Sequence, residues 1–95
     1  MSAYVITDVE ITDASLYQEF RDRVTSTVEA HGGRFVARGG ELEVVLGDWT
    51  PKRLAILEFG SVEQVHAWLN SPEYIALDDV RSRSSNINMV VVQGL

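Results

Sequence analysis

The chain contains no cysteine, which excludes a disulfide framework, a thiolate nucleophile and cysteine-ligated zinc, and ties it to no oxidising compartment. Basic residues are also few. Eight against fourteen acids leave a net charge of -6, which repels phosphate backbones and anionic membrane surfaces, so neither nucleic acid nor membrane is expected as a partner. No run approaches the ~20 apolar residues of a membrane span, and MSAYVITDVE lacks a basic region followed by an apolar one. A cytoplasmic location is therefore expected. There are no repeats, linkers or low-complexity tracts, and GGRFVARGG lacks both the strand-to-helix context and the lysine of a phosphate-binding loop. Histidine is limited to His31, at a helix end, and His66, beside an apolar helix face. Asp78 and Asp79 are adjacent and would point apart on a helix, so no metal site is expected, and no motif requires a cofactor.

What is present is an ordinary globular composition, 45% apolar and 23% charged, in a length that suits one domain over residues 1–95. AYVITDVEI, residues 3–11, is rich in β-branched residues and predicts a strand. Thr12 or Asp13 can cap a helix whose apolar residues Leu16, Tyr17, Phe20, Val24 and Val28 recur every three or four positions, and which stops at Gly32-Gly33. RFVARGGELEVVLG predicts a second strand, bent at Gly39-Gly40 into a hairpin arm, with GDWTPKR as the turn. RLAILEF is the third strand. Ser61 and Gln64 form the pattern of a capping box, Ser71-Pro72 restarts a broken helix that runs to about Ser84, and INMVVVQGL closes the chain as a fourth strand.

The order βαββαβ predicts an α+β, ferredoxin-like antiparallel sheet with both helices on one face. Alternation in the third strand sends Arg53, Ala55, Leu57 and Phe59 one way and Leu54, Ile56 and Glu58 the other, so both faces carry apolar side chains. A bare apolar sheet face is most often covered by a second copy, which predicts a homodimer, a dimeric α+β barrel.

AYVITDVEITDASLYQEF, HGGRFVARGG, GDWTPKRLAILEF and HAWLNSPEYIAL, with Arg81 beyond, together resemble the domain-of-unknown-function family numbered 1330 over almost the whole chain. Ser15 and Leu16 depart from the acidic or small residues common before the tyrosine, as does Gly60 from a frequent proline. The resemblance implies the fold and dimerisation, and it brings no established reaction.

Asp8, Arg38, Arg53 and Glu58 are polar residues that could meet near one end of the sheet. Glu58, alternating with Leu54 and Ile56, would lie among apolar groups, where an unpaired carboxylate is raised in pKa and suited to acid–base catalysis. The other reading is a structural ion pair of Glu58 with Arg38, or with Arg81. Trp49, Trp68 and Tyr74 could wall a pocket for a small apolar or aromatic ligand, with Arg38, Arg53 and Arg81 as its polar contacts. Trp68 at helical spacing is the pattern of a core position, Trp49 fits an interface as well as a pocket wall, and the Tyr74 hydroxyl fits a backbone cap. Two functions follow from these residues: a dimeric small-molecule binder, with any chemistry being cofactor-free proton transfer or oxygenation, or a non-enzymatic structural or interaction module.

Overall fold

A computed structural model describes residues 1–95. Strand β1 (Ala3–Ile11) leads to helix α1 (Ala14–Ala30), strand β2 (Arg34–Arg38) and strand β3 (Leu54–Phe59). Helices α2 (Val62–Leu69), α3 (Pro72–Ile75) and α4 (Asp78–Ser84) precede strand β4 (Ser85–Gln93). The strands form one antiparallel sheet in the order β2-β3-β1-β4, the ferredoxin-like arrangement that the element order predicts.

Local chemistry sets the helix ends. Asp13 accepts a hydrogen bond from the Leu16 amide at 3.1 Å and so caps α1, while Gly32, at φ 78°, ends it in a conformation that costs other residues a steric penalty. Ser61 caps α2 by accepting from the Gln64 amide at 3.2 Å. Only this half of the capping box forms: the Gln64 side chain donates to the His31 carbonyl at 3.5 Å instead, tying the start of α2 to the end of α1. Ser71 caps α3 with Pro72 at its first position. The broken helix is in three pieces rather than two, because the segment after Pro72 divides again between Ile75 and Asp78.

Helices cover one face of the sheet. Val5, Leu57 and Phe59 point into them and are buried against Phe20, Val28, Val65 and Trp68, each such side chain contributing about 1.5–3 kcal/mol. The other face is bare, as the alternation predicts: Ile6, Leu54 and Ile56 are half-buried, and Val90 is 58% exposed. With one layer of helices and one sheet, the chain is only 16 Å thick.

The second strand is shorter than the sequence predicts. It ends at Arg38, and residues 41–50 are irregular and exposed although ELEVVL alternates as a strand would. This segment has no neighbouring strand to complete its hydrogen bonds, and Leu46 is 92% exposed. Gly39 stands at the predicted bend with φ 66°, whereas Gly40 has neither a positive φ nor a close neighbour.

Candidate functional site

A cleft lies between the helix-facing side of the sheet and α1, α2 and α3. Its wall is mostly apolar, with Phe20, Phe35, Leu57, Trp68 and Tyr74 among its lining residues, and its ionisable groups are Tyr17, Tyr74, Arg38 and Arg53. The cavity is ≈ 50 Å³, enough for water but well short of the ~150 Å³ that holds a benzene ring in an engineered cavity. Admitting a ring therefore requires side chains that line the cleft to move.

Trp68 and Tyr74 line the cleft, and Phe59 packs against Trp68 in the core behind it. Phe59 and Trp68 have ring centroids 5.3 Å apart, and Trp68 and Tyr74 4.5 Å, within the range of favourable tilted pairs. The Trp68 indole N–H donates to the Thr27 hydroxyl at 3.0 Å, so Trp68 is both core and cleft wall. The Tyr74 hydroxyl makes no hydrogen bond within the chain, so it is not the backbone cap that was one expectation. Burial raises its pKa, which keeps it a neutral donor.

Arg38 and Arg53 stand together at one end of the cleft. Arg38 donates to the Thr25 hydroxyl at 2.8 Å and to the Arg21 carbonyl at 3.2 Å, and its guanidinium carbon lies 3.9 Å from the centroid of the Phe35 ring. Burial, and then repulsion from Arg21 and more weakly Arg53, lower its pKa, against opposing effects of Tyr17 and Asp22. The Arg53 guanidinium occupies the space above Gly39, where a side chain would collide with it, Nη1 lying 2.5 Å from the position of a Cβ.

Glu58 is elsewhere. The expected pairs with Arg38 or Arg81 do not form, because Arg38 faces the helices while Glu58 faces the bare side of the sheet. The partner is Arg34, directly opposite in register, whose Nη2 and Nε donate to Oε1 at 2.7 and 3.0 Å. The Tyr4 hydroxyl donates to Oε2 at 3.1 Å. These hydrogen bonds, led by Arg34, lower the Glu58 pKa, the reverse of what an isolated carboxylate among apolar groups would show. Arg81 is paired with Asp78 at 3.3 Å, outside the cleft. Trp49 is 63% exposed on the arm, its indole N–H donating to Asp8 at 3.4 Å, and Asp8 also accepts from the Lys52 amide at 2.8 Å. Of the expected residues, Arg38, Arg53, Trp68 and Tyr74 thus share one cleft, while Glu58, Trp49 and Arg81 do not join it. Tyr17 and Phe35 are cleft residues that sequence reasoning did not single out as such; helical spacing marks Tyr17 only as apolar-face.

No group of three or more His, Asp or Glu is gathered anywhere in the fold, and no helix is long and apolar enough to cross a membrane.

A family described as Domain of unknown function (DUF1330) matches residues 2–95. No curated protein matches the chain. Among solved structures, RPA0582, a protein of unknown function from Rhodopseudomonas palustris, superposes with a TM-score of 0.79 at 18% identity, over 99% of this chain and 82% of that one. SnoaB, a cofactor-independent oxygenase from Streptomyces nogalater, gives 0.68 at 8% identity, over 99% and 93%. A dimeric protein of unknown function with a ferredoxin-like fold from Bacteroides fragilis gives 0.56 at 13% identity, over 98% and 96%. At these identities the likeness is one of fold.

Proposed function

The chain belongs to the DUF1330 family, and on that footing we propose that it is a homodimer in which each protomer binds a small apolar or aromatic molecule between its sheet and its helices. The observation that carries this reading is the cleft itself: an aromatic wall ending in a tyrosine hydroxyl and two guanidinium groups that have no carboxylate partner. A mostly apolar concavity with a few convergent polar groups is the usual form of a small-molecule site. The bare sheet face supports the dimer, as does the description of the Bacteroides fragilis neighbour as dimeric. A cytoplasmic location is part of the same proposal, in keeping with a cysteine-free sequence.

Any chemistry in this cleft would use tyrosine donors and arginine charges, since no carboxylate or histidine lines it. Such groups can stabilise an anion formed on a substrate, and the cofactor-independent oxygenase with the same fold supports chemistry that needs no bound group. Acid–base work by Glu58 would have to occur on the opposite face, and its lowered pKa supports the ion-pair role instead.

The narrowness of the cavity favours a second reading, in which the dimer is a structural or interaction module and the cleft is a packing gap. A thermal-shift screen of small aromatic and aliphatic compounds separates the two. A ligand at ~100 times its dissociation constant stabilises the fold by about 2.7 kcal/mol, and its effect should vanish when Trp68 or Tyr74 is changed. A screen without hits at millimolar concentration would leave the module reading.

A further inference from the structure

Four of the eight basic residues are in salt bridges: Arg23, Arg34, Arg81 and Arg83. Two of the others, Arg38 and Arg53, line the cleft without a carboxylate in ion-pair contact, and Arg21 is near enough to repel Arg38. In a chain of net charge -6 this local excess of cations is conspicuous, because acids to neutralise it are abundant and none is placed to do so. Asp22 acts on Arg38 only from beyond ion-pair distance.

Of the two cleft arginines, Arg38 is held in place by Thr25, the Arg21 carbonyl and the face of Phe35, and after those two hydrogen bonds several of its N–H donors stay free. Arg53 is seated across Gly39, the residue next to Arg38, and its side chain makes no hydrogen bond or salt bridge within the chain. Both line a cavity whose remaining wall is mainly apolar and aromatic.

We propose that the cleft, widened by movement of its lining side chains, selects a small aromatic carboxylate, its ring against Trp68 and Tyr74 and its carboxylate between Arg38 and Arg53. This rests on the small-molecule reading above and adds the charge of the ligand. A planar carboxylate matches the fork of a guanidinium, and two part-buried guanidinium groups, which repel one another when the cleft is empty, both gain from it. Tyr74 lines the same cavity, and its hydroxyl makes no hydrogen bond within the chain.

The test is calorimetric titration at neutral pH and low salt with benzoate and benzamide, which share a shape and differ in charge. Charge-assisted hydrogen bonds should make benzoate bind about tenfold or more tightly than benzamide. Arg53→Met should abolish that preference, the loss falling mainly on benzoate, and Arg53→Lys should restore part of it. Because the Arg53 side chain makes no ion pair or hydrogen bond, the Met variant should melt close to the parent, and Arg53→Gln serves in its place if it does not. Equal affinity for the two probes, or a preference that survives both Arg53→Met and Arg53→Gln, overturns the carboxylate assignment and leaves the small-molecule reading standing. Absence of binding by either probe at millimolar concentration overturns the carboxylate assignment, and the small-molecule reading then stands or falls with the thermal-shift screen.

Discussion

Trp68 donates its indole N–H to the Thr27 hydroxyl at 3.0 Å, with both groups buried, and this hydrogen bond fastens α2 to α1 behind the cleft. The Thr27 hydroxyl in turn donates to the Val24 carbonyl at 2.6 Å, so the buried indole and hydroxyl are both satisfied. Thr27→Val keeps the shape and removes the acceptor. Leaving one buried donor unpaired should cost about 1–3 kcal/mol in urea denaturation followed by circular dichroism. A loss well below that range would mean that the indole finds another acceptor.

Gly39 and Gly40 should respond differently to substitution. At Gly39 a side chain meets a positive φ and the Arg53 guanidinium at once, so Gly39→Val should destabilise by at least about 1–3 kcal/mol. The same change at Gly40, where nothing lies within 4 Å, should stay within about 0.5 kcal/mol. Equal effects at both positions would mean that the bend is not confined to Gly39.

Val90, Ile56 and Ile6 lie on the bare face of the sheet, and a carboxylate placed among them would be buried without a partner in a face-to-face dimer. The parent should sediment at about twice its chain mass of 10.6 kDa at micromolar concentration, and Val90→Asp at the chain mass. A parent that sediments as a single chain would remove the dimer.

Much of this was legible in the sequence. Strand alternation alone grouped Arg53 with Ala55, Leu57 and Phe59 and set Glu58 on the opposite face with Leu54 and Ile56, as observed, but it did not say which face the helices cover. Helical spacing placed Phe20, Val24 and Val28 in the core. The partner of Glu58 was not legible, and the reason is a single residue. Arg34 and Phe35 pair with Glu58 and Leu57, but Ala37 and Arg38 pair with Ile56 and Ala55, so Val36 is an extra residue in β2. Without this bulge Arg38 would share a face with Arg34 and Glu58. With it, Arg38 turns to the helix side and into the cleft, and a one-residue slip of this kind leaves no mark in composition or periodicity. The arm failed for a different reason: LEVV has strand character, but a strand needs a neighbour, and none is within the chain.

That bulge makes the behaviour of Glu58 a discriminating measurement. Its folded pKa is lowered by Arg34 and Tyr4, so the stability it brings is present above the ordinary carboxylate range and is lost as pH falls through the lowered folded value. The Tyr4 hydroxyl is raised by Glu58, so its contribution is present below the ordinary tyrosine pKa of 10.0 and is lost as pH rises through the raised value. Glu58→Gln removes both, and should flatten the acid and alkaline edges of the stability profile together, measured by denaturation at fixed protein concentration. Double-mutant cycles then locate the pair. Glu58→Gln with Arg34→Met should show coupling that shrinks as salt is added, since Arg34 is 70% exposed and the pair is open to screening. Glu58→Gln with Arg38→Met should show none, because the sheet stands between them. Coupling to Arg38 equal to that with Arg34 would mean that β2 pairs with β3 without the bulge, and the cleft would then lose one of its two arginines.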